Sequence, residues 1–217
     1  MNQQSGPQNP LVLSYLAMRK AVGIVGFALP IVLAVGKILL QGPGIQDSIS
    51  SYHYTDMRSV FEGSLSAIGV FLLSTTGYDR QDEIAGRLAS AFAFGVALFP
   101  TTPGAGATAQ DKIIGGVHLS FAALLYLTLA YFSIALFTKT GPENRPTPRK
   151  LQRNVIYRVF GYTIVACLLL ILIVKLLSAN ALLQRLRPVF WLESIATMSF
   201  GVSWLTKGET ILKDQQL

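Results

Sequence analysis

The stretch ACLLLILIV, inside an apolar segment at 155–177, shows no alternation between polar and apolar residues. A helix rising about 1.5 Å per residue needs about 20 such residues to cross a hydrocarbon layer about 30 Å thick. Barrel strands would alternate in polarity over about ten residues, and an open sheet would leave backbone groups unpaired in lipid. Five further segments, at 21–40, 59–77, 84–99, 113–138 and 188–205, follow the same pattern. The third is short, and Pro100 within PTTPGAG stops it. The predicted fold is therefore all-α: a polytopic bundle of six transmembrane helices without a soluble domain.

Composition supports lipid as the main solvent. Charged residues make up 13% of the 217, against about a quarter in soluble domains. The basic excess, 18 Lys and Arg against 11 Asp and Glu, sits in short loops rather than on one patch, which argues against a nucleic-acid partner. With a cytoplasmic N-terminus, 12 of the 18 basic residues fall on the cytoplasmic side, the strongest group running from Arg145 to Arg158. Both termini are thus expected inside, in a multi-pass protein. The lone Cys167, in an apolar run, matches no zinc or redox spacing. No cleavable leader is expected, since Arg19 and Lys20 directly precede the first span. Residues 1–17 read as a disordered or interfacial N-terminus, 18–207 as the membrane domain and 208–217 as a cytoplasmic tail. LVLSYLAM before Arg19 fits a short interfacial helix or an extension of the first span. Pro30 is expected to kink that span, and Trp191 and Trp204 fit aromatic belts at the two membrane faces.

Ionisable groups inside a membrane are costly, so each is a functional candidate whose partner should be named. Glu62, His118 and Glu193 belong to three different spans and lie at similar depth toward the outer face. His53, Asp56, Arg58, Asp111 and Lys112 occupy adjoining outer segments. Convergence of these groups would form an outward-facing polar pocket. Asp56, Glu62, His118 and Glu193 are the candidate catalytic groups for activating water. Tyr52, His53, Tyr54, Arg58, Asp111 and Lys112 are the candidate ligand contacts, the cations for anionic groups and the tyrosines for stacking. His53 and His118 are the candidate ligands of a divalent metal, the one cofactor the sequence leaves open. Each group also has a simpler reading. Arg58 and Glu62 are spaced for an i, i+4 salt bridge. His118, beside Gly115 and Gly116, suits a hydrogen bond across a tight helix contact. Glu193 can reach Arg185, Arg187 or the membrane interface, and His53 can belong to an aromatic belt. Asp82 and Glu83 suit the first turn of the third helix.

The stretch SISSYHYTDMRSVFEGSLSAIGVFLLSTTGYDR, with AFGVALFPTTP, resembles an uncharacterised family of small bacterial membrane proteins. The resemblance covers about residues 20–120 and implies bacterial origin, hence a bacterial inner membrane as its location, and six helices, with no activity to transfer. The topology is also weakly similar to membrane proteins of the damage-regulated autophagy modulator type. The alkaline ceramidase superfamily uses three histidines around zinc, whereas this chain has two histidines and no HxxxH pair. Three function classes follow: binding of a lipid headgroup or small polar ligand, with membrane lipids as partners; membrane-embedded hydrolysis of a lipid-linked ester or amide; and, third, a transporter or channel subunit.

Overall fold

The computed structural model describes residues 10–74, 79–104, 106–140, 146–177 and 185–212, with the side chains of 10–14 left aside. The described regular structure is entirely helical. It comprises α1 (Pro10–Gln41), a 3₁₀ turn (Ser50–Tyr54), α2 (Arg58–Leu73), α3 (Arg80–Leu98), α4 (Ala109–Tyr131), α5 (Pro148–Leu176) and α6 (Pro188–Lys207). A π-helical segment, Phe132–Leu136, continues α4. LVLSYLAM continues the first helix, the second of the two arrangements expected for it. The disorder expected for residues 1–9 lies outside the described residues, as do Arg145 and Lys213 of the orientation count.

Helix ends follow local chemistry. Asp79 caps α3 by accepting from the amides of Gln81 and Asp82, while Asp82 reaches back to the Asp79 amide. Thr108 and Asp111 form the same reciprocal capping box on α4. Thr147 caps α5, with Pro148 at its first position. Pro100 disfavours helical backbone at the residue before it, and Phe99 leaves α3 in an extended conformation.

The helices pack in chain order as a ring: each lies against the next, and α6 closes on α1. Glycine allows that closure. A Cβ on Gly201 would stand 2.5 Å from the Phe27 amide nitrogen and 2.8 Å from the Gly23 carbonyl oxygen. Both obstacles are backbone and cannot rotate away. Inside the ring, Leu33, Phe61, Leu72, Ile164, Phe200 and Trp204 are fully buried. Trp204 packs against Phe132, Phe137 and Phe200, which corrects its assignment to an inner aromatic belt. Trp191, in contrast, is exposed.

Three helical stretches, Tyr15–Gln41, Ala109–Leu136 and Pro148–Leu176, are long and apolar enough to cross a membrane. α2 has only 16 residues, α3 begins with four charged residues in its first eight, and α6 is rich in hydroxyl groups. Those hydroxyls point inward. Ser194, Thr197, Ser199, Ser203 and Thr206 are buried, while Trp191 and Ile195 on the same helix are exposed.

Candidate functional site

The polar residues singled out above gather at one end of the bundle, around the segment between α1 and α2. That segment folds into the 3₁₀ turn and is fastened to α6 at three points. Arg187 lies 3.7 Å from Asp47, the Ile49 amide donates to Glu193 Oε2 at 2.7 Å, and the Tyr52 ring meets Phe190 at 6.1 Å between centroids. A fourth tie runs to the α3–α4 connection, where the Tyr54 hydroxyl donates to the Thr101 carbonyl at 2.5 Å.

Glu193 therefore serves the backbone of the α1–α2 segment, which corrects its expected pairing with Arg185 or Arg187. A carboxylate taking an amide at the start of a short helix satisfies a donor that would otherwise lack a partner. Beside it, the Tyr126 hydroxyl lies 2.7 Å from Thr197 Oγ1, which itself donates to the Glu193 carbonyl. The Tyr126 hydroxyl also lies 3.4 Å from the Glu193 carbonyl, to which it can donate, and the two hydroxyls tie α4 to α6.

His118 is buried, and its Nδ1 lies 2.6 Å from the Phe99 carbonyl oxygen. A carbonyl only accepts, so this nitrogen carries the proton and Nε2 is left as an acceptor. Nε2 is enclosed and has no hydrogen-bond partner among the described residues. The bond closes the α3 terminus onto α4, as expected for a tight helix contact. Gly115 lets Thr102 approach α4 one turn earlier, whereas Gly116 faces open space.

Glu62 belongs to a third arrangement. Arg58 Nε donates to Glu62 Oε1 at 2.6 Å, and His53 Nδ1 lies 3.2 Å from the same oxygen without the alignment of a hydrogen bond. The Arg58 and Glu62 side chains are 59% and 31% exposed, so this pair reaches the surface. His53 is buried behind it, edge-on to Tyr54 and Phe61, which corrects its placement in an interfacial belt. Burial is the main influence holding the His53 imidazole below its ordinary value; the Arg58 charge adds to this and Glu62 opposes it.

Of the predicted pocket, then, the structure brings together His53, Arg58 and Glu62, while Glu193 and His118 are engaged with backbone groups. Asp56 is exposed in the turn before α2, and Lys112 is exposed in the first turn of α4. Asp111 is occupied in its capping box and Tyr54 in its bond to Thr101. Tyr52 is fully buried against Phe190 and offers no surface for stacking a ligand, a correction to its predicted role. Among the described residues no three His, Cys, Asp or Glu side chains are grouped to hold a metal ion. Between the helices, a cavity of about 40 Å³ touches Leu29, Ile49, Phe61, Tyr126, Thr197 and Phe200. Ligand pockets are usually about 300–1,000 Å³, so this one has room for water at most.

Sequence reasoning missed the Tyr126–Thr197 pair, the Asp47–Arg187 contact and the Asp79–Lys139 pair at the opposite end, 2.9 Å apart. The capping spacing of Asp79 and Asp82 was a usable signal for the position of Asp79. The other contacts join distant parts of the chain and carry no local signature.

Comparison with family models, with curated proteins and with solved structures finds no match to the chain. No functional residue is transferred from elsewhere, and the reading of function rests on this chain's own geometry.

Proposed function

We propose that the chain is an integral membrane protein that crosses the bilayer six times, with both termini inside. At its outer surface it binds a lipid headgroup or small polar ligand. The span count is supported by large exposed apolar side chains on every helix, from Ile24 and Ile31 on α1 to Trp191 and Ile195 on α6. Water would penalise such a surface and lipid would not. The inward turn of the α6 hydroxyls explains why its average composition understates its fitness for lipid.

The observation that carries the binding reading is the surface-reaching Arg58–Glu62 pair with His53 behind it. It offers a cation and an anion side by side, which complements a zwitterion such as a phosphoethanolamine headgroup. The cavity beside Phe61 and Tyr126 is too small for such a molecule, and the Arg58–Glu62 pair itself reaches the surface, so the ligand sits on the outer rim. A second reading, hydrolysis of a lipid-linked ester or amide, draws on the 3.2 Å approach of His53 to the Glu62 carboxylate, an arrangement suited to acid–base chemistry.

Titration of the detergent-purified protein with dihexanoyl phosphatidylethanolamine tests both. Saturable binding weakened at least about tenfold in Arg58→Gln and Glu62→Gln supports the site, tenfold corresponding to about 1.4 kcal/mol. Equal binding by the variants and the unaltered chain sinks it. Release of fatty acid, lost in Glu62→Gln, would favour the hydrolase.

A further inference from the structure

Two side chains contend for one oxygen at the outer cluster, and only one of them can leave it. Arg58 Nε and His53 Nδ1 stand 2.6 and 3.2 Å from Glu62 Oε1. The Arg58 side chain is exposed and sits on a long flexible stem, whereas the His53 ring is buried and held edge-on by Tyr54 and Phe61. Its Nδ1 is enclosed and has no hydrogen-bond partner among the described residues, although it faces a carboxylate. In the neutral ring either nitrogen can carry the single proton, so the contact with Glu62 is an unmade bond.

Protonation makes it. An imidazolium carries a proton on both nitrogens, and Nδ1 then donates to Glu62 in a charge-assisted bond. The buried imidazolium has no water to turn to and must keep its anion. Arg58 forms an exposed i, i+4 pair, which water screens and which contributes little, so Arg58 is the partner that yields. Its guanidinium then stands at the surface without the carboxylate.

The surroundings leave His53 this one anion. Arg58 and Glu62 are the charged groups that α2 turns toward it, and His118 is the titratable group of α4 within electrostatic reach. The Tyr54 hydroxyl beside it is engaged with the Thr101 carbonyl. Residues 178–184, which join α5 to α6 and lie outside the described residues, contain no ionisable side chain. Burial first, and the Arg58 charge second, hold the His53 imidazole below its ordinary 6.5, so the exchange belongs to mildly acidic conditions. Drawing Arg58 away removes the second of these influences. An anion on Arg58 and a proton on His53 therefore favour one another.

We propose that His53 selects the headgroup charge that the outer site accepts: neutral, it leaves the Arg58–Glu62 pair to a zwitterion, and protonated, it takes Glu62 and frees Arg58 for an anionic phosphodiester. The proposal rests on the outer-rim binding reading and adds to it a specificity residue set behind the ligand.

Dihexanoyl phosphatidylethanolamine and dihexanoyl phosphatidylglycerol are titrated into the detergent-purified full chain at about pH 7.5 and about pH 5, on either side of the histidine range. Neither phosphodiester changes its charge between them. The expected result is a preference for phosphatidylethanolamine at the higher pH, and a Kd for phosphatidylglycerol that falls at least about tenfold at the lower. In His53→Asn the affinity for phosphatidylglycerol is the same at both. Calorimetry in two buffers of different ionisation enthalpy should show proton uptake with phosphatidylglycerol in the parent chain and none in the variant. A phosphatidylglycerol affinity independent of pH in the parent, or a pH dependence that survives in His53→Asn, overturns the proposal and leaves the binding site standing. No binding of either lipid at either pH removes the site, and the proposal with it. Should His53→Asn fail to fold, Glu62→Gln decides: it offers the imidazolium no carboxylate, so Arg58 is free at both pH values, and an undiminished pH dependence there overturns the proposal.

Discussion

Glu193 and His53 show how far a residue's role depends on what the fold brings to it. Glu193 stands 144 positions from the amide it accepts. Glu193→Ala leaves the Ile49 amide unpartnered in the α1–α2 segment and should cost about 1–3 kcal/mol, read as a lowered thermal midpoint in detergent. Glu193→Gln, which keeps an acceptor oxygen, should lose less; equal losses would contradict the assignment. His53 makes a prediction in pH. Its folded-state value is held below the ordinary 6.5, so between the two values the unfolded chain binds more protons. The contribution of His53 to stability is therefore fully present above about 6.5 and is lost as pH falls through the folded value. His53→Asn should flatten that part of the stability profile, and an unchanged slope would exclude His53 as its source. The Arg58–Glu62 bridge was legible in the sequence because both partners lie one turn apart on one helix. The Glu193 contact was not, because a backbone amide in a distant loop leaves no mark in the side-chain pattern.

Among the elements, the long apolar helices were the most legible, since periodicity and length are local properties. The end of α3 was read from Pro100, whereas the capping signals of Thr108 and Pro148 went unread, and the expected segments at 113–138 and 155–177 begin later than the observed α4 and α5. The inward face of α6 was not legible, since serine and threonine suit a bundle interior and a solvent surface alike until neighbours are known. Closure of α6 on α1 rests on Gly201, and Gly63 of α2 provides the contrast, because nothing lies within 4 Å of a Cβ there. Gly201→Ala should destabilise by about 1–3 kcal/mol, the usual scale of overpacking. Gly63→Ala, in an open helix interior, should stabilise by roughly 0.5–1 kcal/mol. Thermal midpoints that move in the same direction would contradict the account of the α1–α6 contact.

For the whole molecule, the ring of helices places one polar cluster at each end, with an apolar circumference between them. At one end the α1–α2 segment is fastened over the bundle by Asp47, Ile49, Tyr52 and Tyr54, so its polar residues act at the rim rather than in a deep pocket. At the other, Lys139, Lys150, Arg153 and Lys207 hold the basic excess that the sequence assigns to the cytoplasm. The central claim is that all six helices cross the bilayer and carry these clusters to opposite sides. Cys167 is the sole cysteine and is buried, so a Cys167→Ala background allows one new thiol at a time to be mapped. An impermeant maleimide on intact cells should label Asp56→Cys, Lys112→Cys and Arg185→Cys, and should reach Gln81→Cys and Thr147→Cys only after permeabilisation. Labelling of Gln81→Cys from outside, or protection of Lys112→Cys, would contradict the six-span account.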